Sequence, residues 1–442
     1  MSTQLTARTK AEEEIVSLFD RVQANLPGAS INAGVRDAAI AGFKDFGLPH
    51  RRIEEWKYTD LRSAVTHVGR PMGLVGTEAA TSRQDIDAAL GPLAHVDADQ
   101  IVFVDGVYCA AHSRISDADR VRIRSMRELL ETEAGRDILR DTQSDGALGA
   151  LNTAFVTDGA IVDIADQVEL DRPLLLIFFR QNAADDLLTT RNVISVGEDA
   201  SATIVEAFVS RAGTTGGQTN TLSQISVGDR AHVNHVKVGL EESAIHLATW
   251  TTVVGSQANY RAFQFTANMA LVRNQVFARY SGENAKLDIS GAFLGRHREH
   301  IDTTLVVRHE VEGCESRELF KGVLDDEARG VFQGKVIVQP EAQKTDGKQM
   351  AQALMLSEAC EFDSKPELEI YADDVVCGHG STCAEIDPDL IFYCRSRGIP
   401  EEQARALLIQ SFITEAIDQV ANEALADSLQ ELARRWLEAT EN

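Results

Sequence analysis

Ile301-Asp302-Thr303-Thr304-Leu305-Val306-Val307-Arg308 is the stretch on which the fold turns. Successive side chains of an extended chain point to opposite sides, so Ile301, Thr303, Leu305 and Val307 share one face. Lys335-Val-Ile-Val-Gln339 alternates in the same way. From about Ala160 this period of two governs the chain. Strand-like runs recur at Leu174–Phe179, Val193–Val196, Ala202–Val209, Leu222–Val227, Val233–Val238, Ala248–Val254 and Tyr260–Thr266. They continue at Gln275–Tyr280, Leu287–Ser290, Ile301–Arg308, Gly334–Gln339, Met350–Leu356 and Leu368–Tyr371. No helix-length pattern interrupts the block, which argues against a crossover fold with helices between parallel strands. A sandwich, a barrel and a stacked β-solenoid remain. Strand pairs recur at intervals of roughly 20–30 residues, the lower part of the range for stacked repeats. No clean sequence repeat decides among the three.

The flanks read as helical. Ile15, Leu18, Phe19 and Val22 recur at helical spacing, and Pro27-Gly28 ends that helix. A second helix is expected over about Val35 to Phe46, stopped by Gly47-Leu48-Pro49. The charged, aromatic run Arg51 to Leu61 looks like a segment packed on another surface. Asp105-Gly106 marks a hairpin within residues 100–108. A charged helical stretch is expected over about 116–140, and a short helix around Leu148, Leu151 and Phe155. Past the β block, Asp387-Pro388 reads as an N-cap with Pro at the first helical position, and Gly398 as a stop. Pro400 opens a longer helix with Ala404, Leu407, Leu408 and Phe412 on its apolar face. Leu425, Leu429, Leu432 and Trp436 continue it after a bend near Asn422. Three regions follow: 1–158 helical or mixed, 159–386 the β core, and 387–442 helical.

Composition narrows the function. The chain has 442 residues, 44% hydrophobic and 25% charged, which reads as globular. A net charge of −25 repels phosphate backbones and anionic lipid, so neither nucleic acid nor membrane is an expected partner. No apolar run is long enough to span a bilayer. The N-terminus lacks a secretion signal's apolar core, and Glu12, Glu13 and Glu14 are unlike a transit peptide, so a cytoplasmic location is expected. The six cysteines are then thiols or ligands rather than a disulfide framework.

The chemistry concentrates in Tyr371-Ala-Asp-Asp-Val-Val-Cys377-Gly-His379-Gly380-Ser-Thr-Cys383. In an extended segment Cys377 and His379 project side by side. Thiolate with imidazole suits iron, an iron–sulfur cluster or zinc, and two donors leave the site incomplete. Cys377, His379, Cys383 and Cys394 can be drawn as a zinc set, but no Cys-x-x-Cys knuckle supports it. Cys109, Cys314 and Cys360 are isolated and read as small core residues. His232 and His235 flank one strand, and His297, His300 and His309 lie near another. The charged neighbours of His297 and His300 favour an exposed turn. Gly330-Val-Phe-Gln-Gly334-Lys335-Val336 is no phosphate loop: its spacing is short, no Ser or Thr follows the lysine, and a strand follows.

Three segments carry a family resemblance: Arg51-Arg-Ile-Glu-Glu-Trp56-Lys-Tyr-Thr59, Asp374-Val-Val-Cys377-Gly-His379-Gly-Ser-Thr382, and Ser396-Arg-Gly398-Ile-Pro400-Glu-Glu-Gln-Ala404-Arg-Ala-Leu-Leu408. With the order helix, β block, helix, the chain resembles the SufB/SufD family of iron–sulfur cluster assembly proteins over nearly its whole length. The Glu-Trp-Lys-Tyr-Thr segment leans to the SufD side. The resemblance implies a mainly β fold, a right-handed parallel β-helix flanked by N-terminal and C-terminal helical regions. It implies a non-catalytic scaffold subunit that pairs with SufB along the C-terminal part of the β-helix. The C-terminal helical domain would bind the ATPase SufC, with ATP hydrolysis left to SufC. It implies a transient iron–sulfur cluster at the SufB interface, with His379 a ligand and Cys377 beside it. A flavin on the complex and a homodimer of the lone chain also fall within that expectation. The alternative is a β-helix enzyme acting on polysaccharides, with a carboxylate pair drawn from Asp302, Asp325, Asp326, Asp373 and Asp374.

Overall fold

The structure is a computed structural model that describes residues 8–74, 81–116, 119–141, 146–181 and 184–439. Its N-terminal part contains α1 (Lys10–Val22), α2 (Ala29–Phe46), α3 (Leu61–Ala64), β1 (Arg70–Pro71) and α4 (Arg83–Leu90). Then come β2 (Asp99–Val104), β3 (Val107–Tyr108), β4 (Val121–Ser125), α5 (Met126–Leu130), α6 (Glu133–Arg140) and α7 (Ala147–Phe155). The β core runs β5 (Ala160–Ile164), β6 (Leu174–Arg180), β7 (Ala184–Val196), β8 (Ser201–Ser210), β9 (Gly216–Val227), β10 (His232–Leu240), β11 (Ile245–Val254) and β12 (Asn259–Ala267). It continues β13 (Leu271–Tyr280), β14 (Lys286–Gly295), β15 (His300–His309), β16 (Glu315–Leu324), β17 (Arg329–Val338), β18 (Asp346–Met355), β19 (Glu361–Ile370) and β20 (Val376–Ala384). The chain ends in α8 (Pro388–Ser396), α9 (Glu401–Ile417) and α10 (Glu423–Glu438).

Each core strand pairs in parallel with the strand two places on. Odd-numbered strands β5 to β19 form one sheet and even-numbered strands β6 to β20 the other. Leu271 of β13 lies beside His300 of β15, which lies beside Arg329 of β17. The two sheets face each other across a lumen, so the fold is a parallel β-solenoid. Both sheets are prolonged by strands from before residue 159: β2 pairs with β6, and β4 pairs antiparallel with β5.

Alternation sorts each strand between lumen and outer face. Ile204, Phe208, Tyr260, Ile289, Leu305, Val307, Phe320 and Phe332 fill the lumen. The outer face of the odd sheet meets the N-terminal helices, where Ile15, Phe19, Phe43 and Phe155 pack with Leu247. The outer face of the even sheet meets the C-terminal helices, where Val236, Val238, Phe263 and Phe265 pack with Ile409, Ile413, Leu429 and Trp436.

The Arg51 to Leu61 segment packs as its composition suggests. Trp56 is buried, with the Arg273 guanidinium 4.4 Å from its ring centre. Arg273 also donates to Glu55 O at 2.7 Å and pairs with the buried Asp302. The Thr59 hydroxyl reaches Asp302 and His300, the latter at 2.8 Å.

Several boundaries differ from expectation. The stretch expected to be helical over 116–140 contains β4, because Val121 to Ser125 pairs along β5 before α5 begins. α2 starts at Ala29, earlier than Val35, since Gly28 adopts φ +61° and the Asn32 side chain ties Gly28 O to Leu130 O. β16 has no counterpart among the expected strands. Its charged residues Glu315, Arg317 and Glu318 obscure the alternation, yet it pairs with β14 and β18 along its full length.

Candidate functional site at the last rung

β20 is the last strand of the even sheet and pairs with β18. Cys377 stands beside Gly347 and His379 beside Gln349. Gly347 and Gln349 are buried on the lumen side of β18, so Cys377 and His379 share the lumen-facing side of β20. Their expected side-by-side placement is present. Cys377 is half-buried against the lumen core, whereas His379 is exposed. Gly347 is the thiol's neighbour across the ladder, and a Cβ there would stand 3.6 Å from Cys377 Sγ, an ordinary contact. Gly378, between the two, has no neighbour within 4 Å of a Cβ position. Burial raises the Cys377 thiol pKa against a pull from the Gly347 backbone, and the charge of Asp346 adds a smaller push upward. A thiol so placed keeps its proton until a metal displaces it.

Among the described residues, no three His, Cys, Asp or Glu side chains converge as a preformed metal site. The zinc set is not assembled: Cys383 is exposed further along β20, and Cys394 sits on α8. All six cysteines are free; Cys314 and Cys360 are buried, and Cys109 is half-buried. The histidines separate. His297 lies exposed in the turn before β15, paired with Asp326. His300 departs from the exposed-turn expectation: it begins β15 and bonds Thr59, because the Trp56 segment covers that end of the strand. His235 and His309 lie buried in the lumen. The five aspartates form no constellation. Asp302 is sealed against Arg273 on the outer face, Asp325 and Asp326 lie in the turn after β16, and Asp373 and Asp374 precede β20.

Around the last rung, Tyr371 and Val376 are 61% and 62% exposed, and Ile370 and Met350 are also exposed. On α8, no residue is buried, and Phe392 is 73% exposed. A cleft of about 470 Å³ lies between α9 and α10, lined by Glu402, Arg405, Leu407, Arg434 and Trp436 among others.

Sequence reasoning missed the polar groups inside the lumen. The Arg180 guanidinium, Glu241, Thr219 and His246 form one buried network. Glu206, His235, Tyr260, Asn192 and Ser223 form another. The signal was a charged residue inside an apolar strand run, as at Val205-Glu206-Ala207.

A parallel solenoid with helical ends, carrying a thiol and an imidazole on its last rung, places the chain among the β-solenoid proteins. Residues 179–412 match the model of the SUF system FeS cluster assembly, SufBD core domain, and residues 9–176 match that of the SufBD protein N-terminal region. The chain is 31% identical to the iron–sulfur cluster assembly protein SufD of Escherichia coli over 86% of its length and 87% of the relative's. It is 29% identical to an iron–sulfur cluster assembly SufBD family protein of Synechocystis over 97% and 96% of the two chains. SufD of Bacillus subtilis is 27% identical over 65% and 66%. The chain belongs to the SufBD family of iron–sulfur cluster assembly proteins, with SufD among its relatives. No described helix is long and apolar enough to cross a membrane.

Proposed function

We propose that this chain is a non-catalytic scaffold subunit of the Suf machinery, working in the cytoplasm. Its last rung pairs with SufB, and the pair holds a nascent iron–sulfur cluster to which His379 contributes the imidazole. Cys377 supplies a thiol at the same seam. The C-terminal helices dock the ATPase SufC. The observation that carries this reading is the position of Cys377 and His379: lumen-facing, on a strand no further rung covers, rimmed by exposed Tyr371 and Val376. An incomplete donor set closed by a second chain holds a cluster less permanently than four thiolates in one chain, which suits a site that must release its product. The polysaccharide-enzyme alternative draws no support, since its aspartates lie apart and Asp302 is already paired.

The test is anaerobic reconstitution of the chain co-purified with SufB and SufC. His379→Ala is expected to leave the complex intact and lower cluster yield. Normal cluster yield in that variant removes His379 from the site.

A further inference from the structure

The lumen column behind His379 contains a carboxyl that none of the above uses. Glu318 of β16 lies beside Gln349 of β18, which lies beside His379 of β20; Ser316, Gly347 and Cys377 form the parallel column. At a strand spacing of about 4.8 Å, Glu318 stands roughly 10 Å behind His379, backbone to backbone. Glu318 is 2% exposed. Neither of its oxygens makes a hydrogen bond of ordinary geometry, nor does Oε1 of Gln349 in front of it. The Gln349 amide nitrogen donates instead to Glu367 O, 3.3 Å away. Ser316 is near enough to pull weakly on the carboxyl, but its hydroxyl is engaged with His309 Nε2 at 3.1 Å.

A buried carboxylate with no partner is costly, so the group keeps its proton. Burial accordingly pushes Glu318 up to about 8. No facing element relieves it. Across the lumen, burial holds His309 down to about 4, so it is neutral. From β17 the lumen-facing Phe332, Gly334 and Val336 carry no charge. Arg317 on the outer face pulls weakly, and Asp288 of β14 opposes it. Asp346 of β18 is engaged with Arg317 and Lys348. β20 presents only Cys377 and His379 on this side of the described lumen wall near Glu318.

We propose that Glu318 is the inner positioning residue of the last-rung site, neutral while the site is empty and ionised when an iron cation is held at Cys377 and His379. The carboxyl O–H bond breaks, the proton leaves to solvent, and the carboxylate left behind offsets the cation's charge from the lumen side. No electron moves. This inference rests on the cluster-assembly reading above.

The test titrates ferrous iron anaerobically into the full chain co-purified with SufB and SufC, across pH 6 to 9, counting protons released. Wild type is compared with Glu318→Gln and His379→Ala. Gln resembles the neutral acid, so at pH 6 Glu318→Gln binds iron as wild type does. At pH 9 wild type binds about tenfold more tightly, the gain of a charge at roughly 10 Å in an effective dielectric near 20. Between those limits wild type releases up to about half a proton more per iron, the most that a tenfold difference in affinity allows by linkage. Folding provides an independent readout. The folded pKa of Glu318 lies above its unfolded value, so the folded chain binds an extra proton between about pH 4.5 and 8. Stability is lost as pH rises through that window, and Glu318→Gln removes that loss. Equal affinity and equal proton release in wild type and Glu318→Gln, with His379→Ala impaired, overturn this proposal and spare the reading beneath it. No iron uptake by wild type at any pH overturns both.

Discussion

The middle rungs and the last rung use the same residue types to opposite ends. In the middle, Glu241 takes hydrogen bonds from Arg180 at 3.1 Å and Thr219 at 2.8 Å, and its other oxygen meets His246 at 2.7 Å. Burial works to raise this carboxyl, but Arg180, His246 and Thr219 outweigh it and hold it at about 2. Glu206 is likewise surrounded by His235, Ser223 and Asn192, each within 2.8 Å. On the last rung His379 is exposed and Cys377 half covered, and behind them Glu318 has no partner. Coverage accounts for the thiol and the imidazole: a middle rung has a strand on either side to complete its polar groups, whereas β20 has β18 alone among the described strands. Glu318 differs, because β16 is paired on both sides, yet its column neighbours Ile289 and Gln349 give its oxygens no hydrogen bond. Histidine and glutamate are structural where neighbouring side chains complete them and available where none do.

The largest way to break that contrast lies in the middle. Glu241→Ala leaves the Arg180 guanidinium, 1% exposed, uncompensated in the lumen. Removing one partner of a buried pair costs about 3–5 kcal/mol, and this carboxylate supports three groups, so the upper end is expected. Denaturant unfolding of the purified chain measures it. A cost under about 1 kcal/mol would show that the lumen networks add little to the fold.

Trp56→Ala should cost less, about 3 kcal/mol. The ring is 7% exposed and stacks on Arg273, so the loss combines a large-to-small cavity with a buried cation–π contact. The same variant loosens the Thr59 contacts to His300 and Asp302, which faster amide exchange in β15 would report. Unchanged exchange there would mean that Thr59 and Arg273 hold the segment without the ring.

Much of this was legible in the sequence. The period of two from Ala160 onward, the helical flanks and the Cys377/His379 pair are properties of side-chain spacing. The solenoid repeat was not legible, because it is conformational rather than chemical. Asp199, Arg230, Gln257, Asn284 and Lys344 sit in turns from odd to even strands, and Ser243, Asn268, His297 and Asp326 in turns from even to odd strands, with φ between +51° and +65°. Left-handed residues reverse the chain at these corners, yet their identities differ, so no motif repeats. His300 looked like part of a charged turn because its partner, Thr59, comes from a segment far back in the chain. Glu318 was hidden for a related reason. Ser316 and Glu318 share a face with Phe320, but the charges of Glu315 and Arg317 on the other face mask that phase.

The smallest expected effect on stability falls on α8, and it sharpens the comparison from outside the solenoid. Removing residues 399–442 is a poor probe of SufC docking. It strips α9 and α10, whose Ile413, Leu429 and Trp436 cover Val236, Val238 and Phe263. A lost partner would then be inseparable from an exposed core. Leu390 and Phe392 avoid that, being 48% and 73% exposed on a helix that buries no residue. Leu390→Ser with Phe392→Ser should leave stability within about 0.5 kcal/mol of wild type, as surface changes do. If α8 belongs to the SufC-docking surface, truncating two anchors costs about 2 kcal/mol or more of binding, a fall beyond tenfold in affinity by titration. Wild-type affinity in this variant would move the contact off α8 and leave the cleft between α9 and α10 as the place to look next.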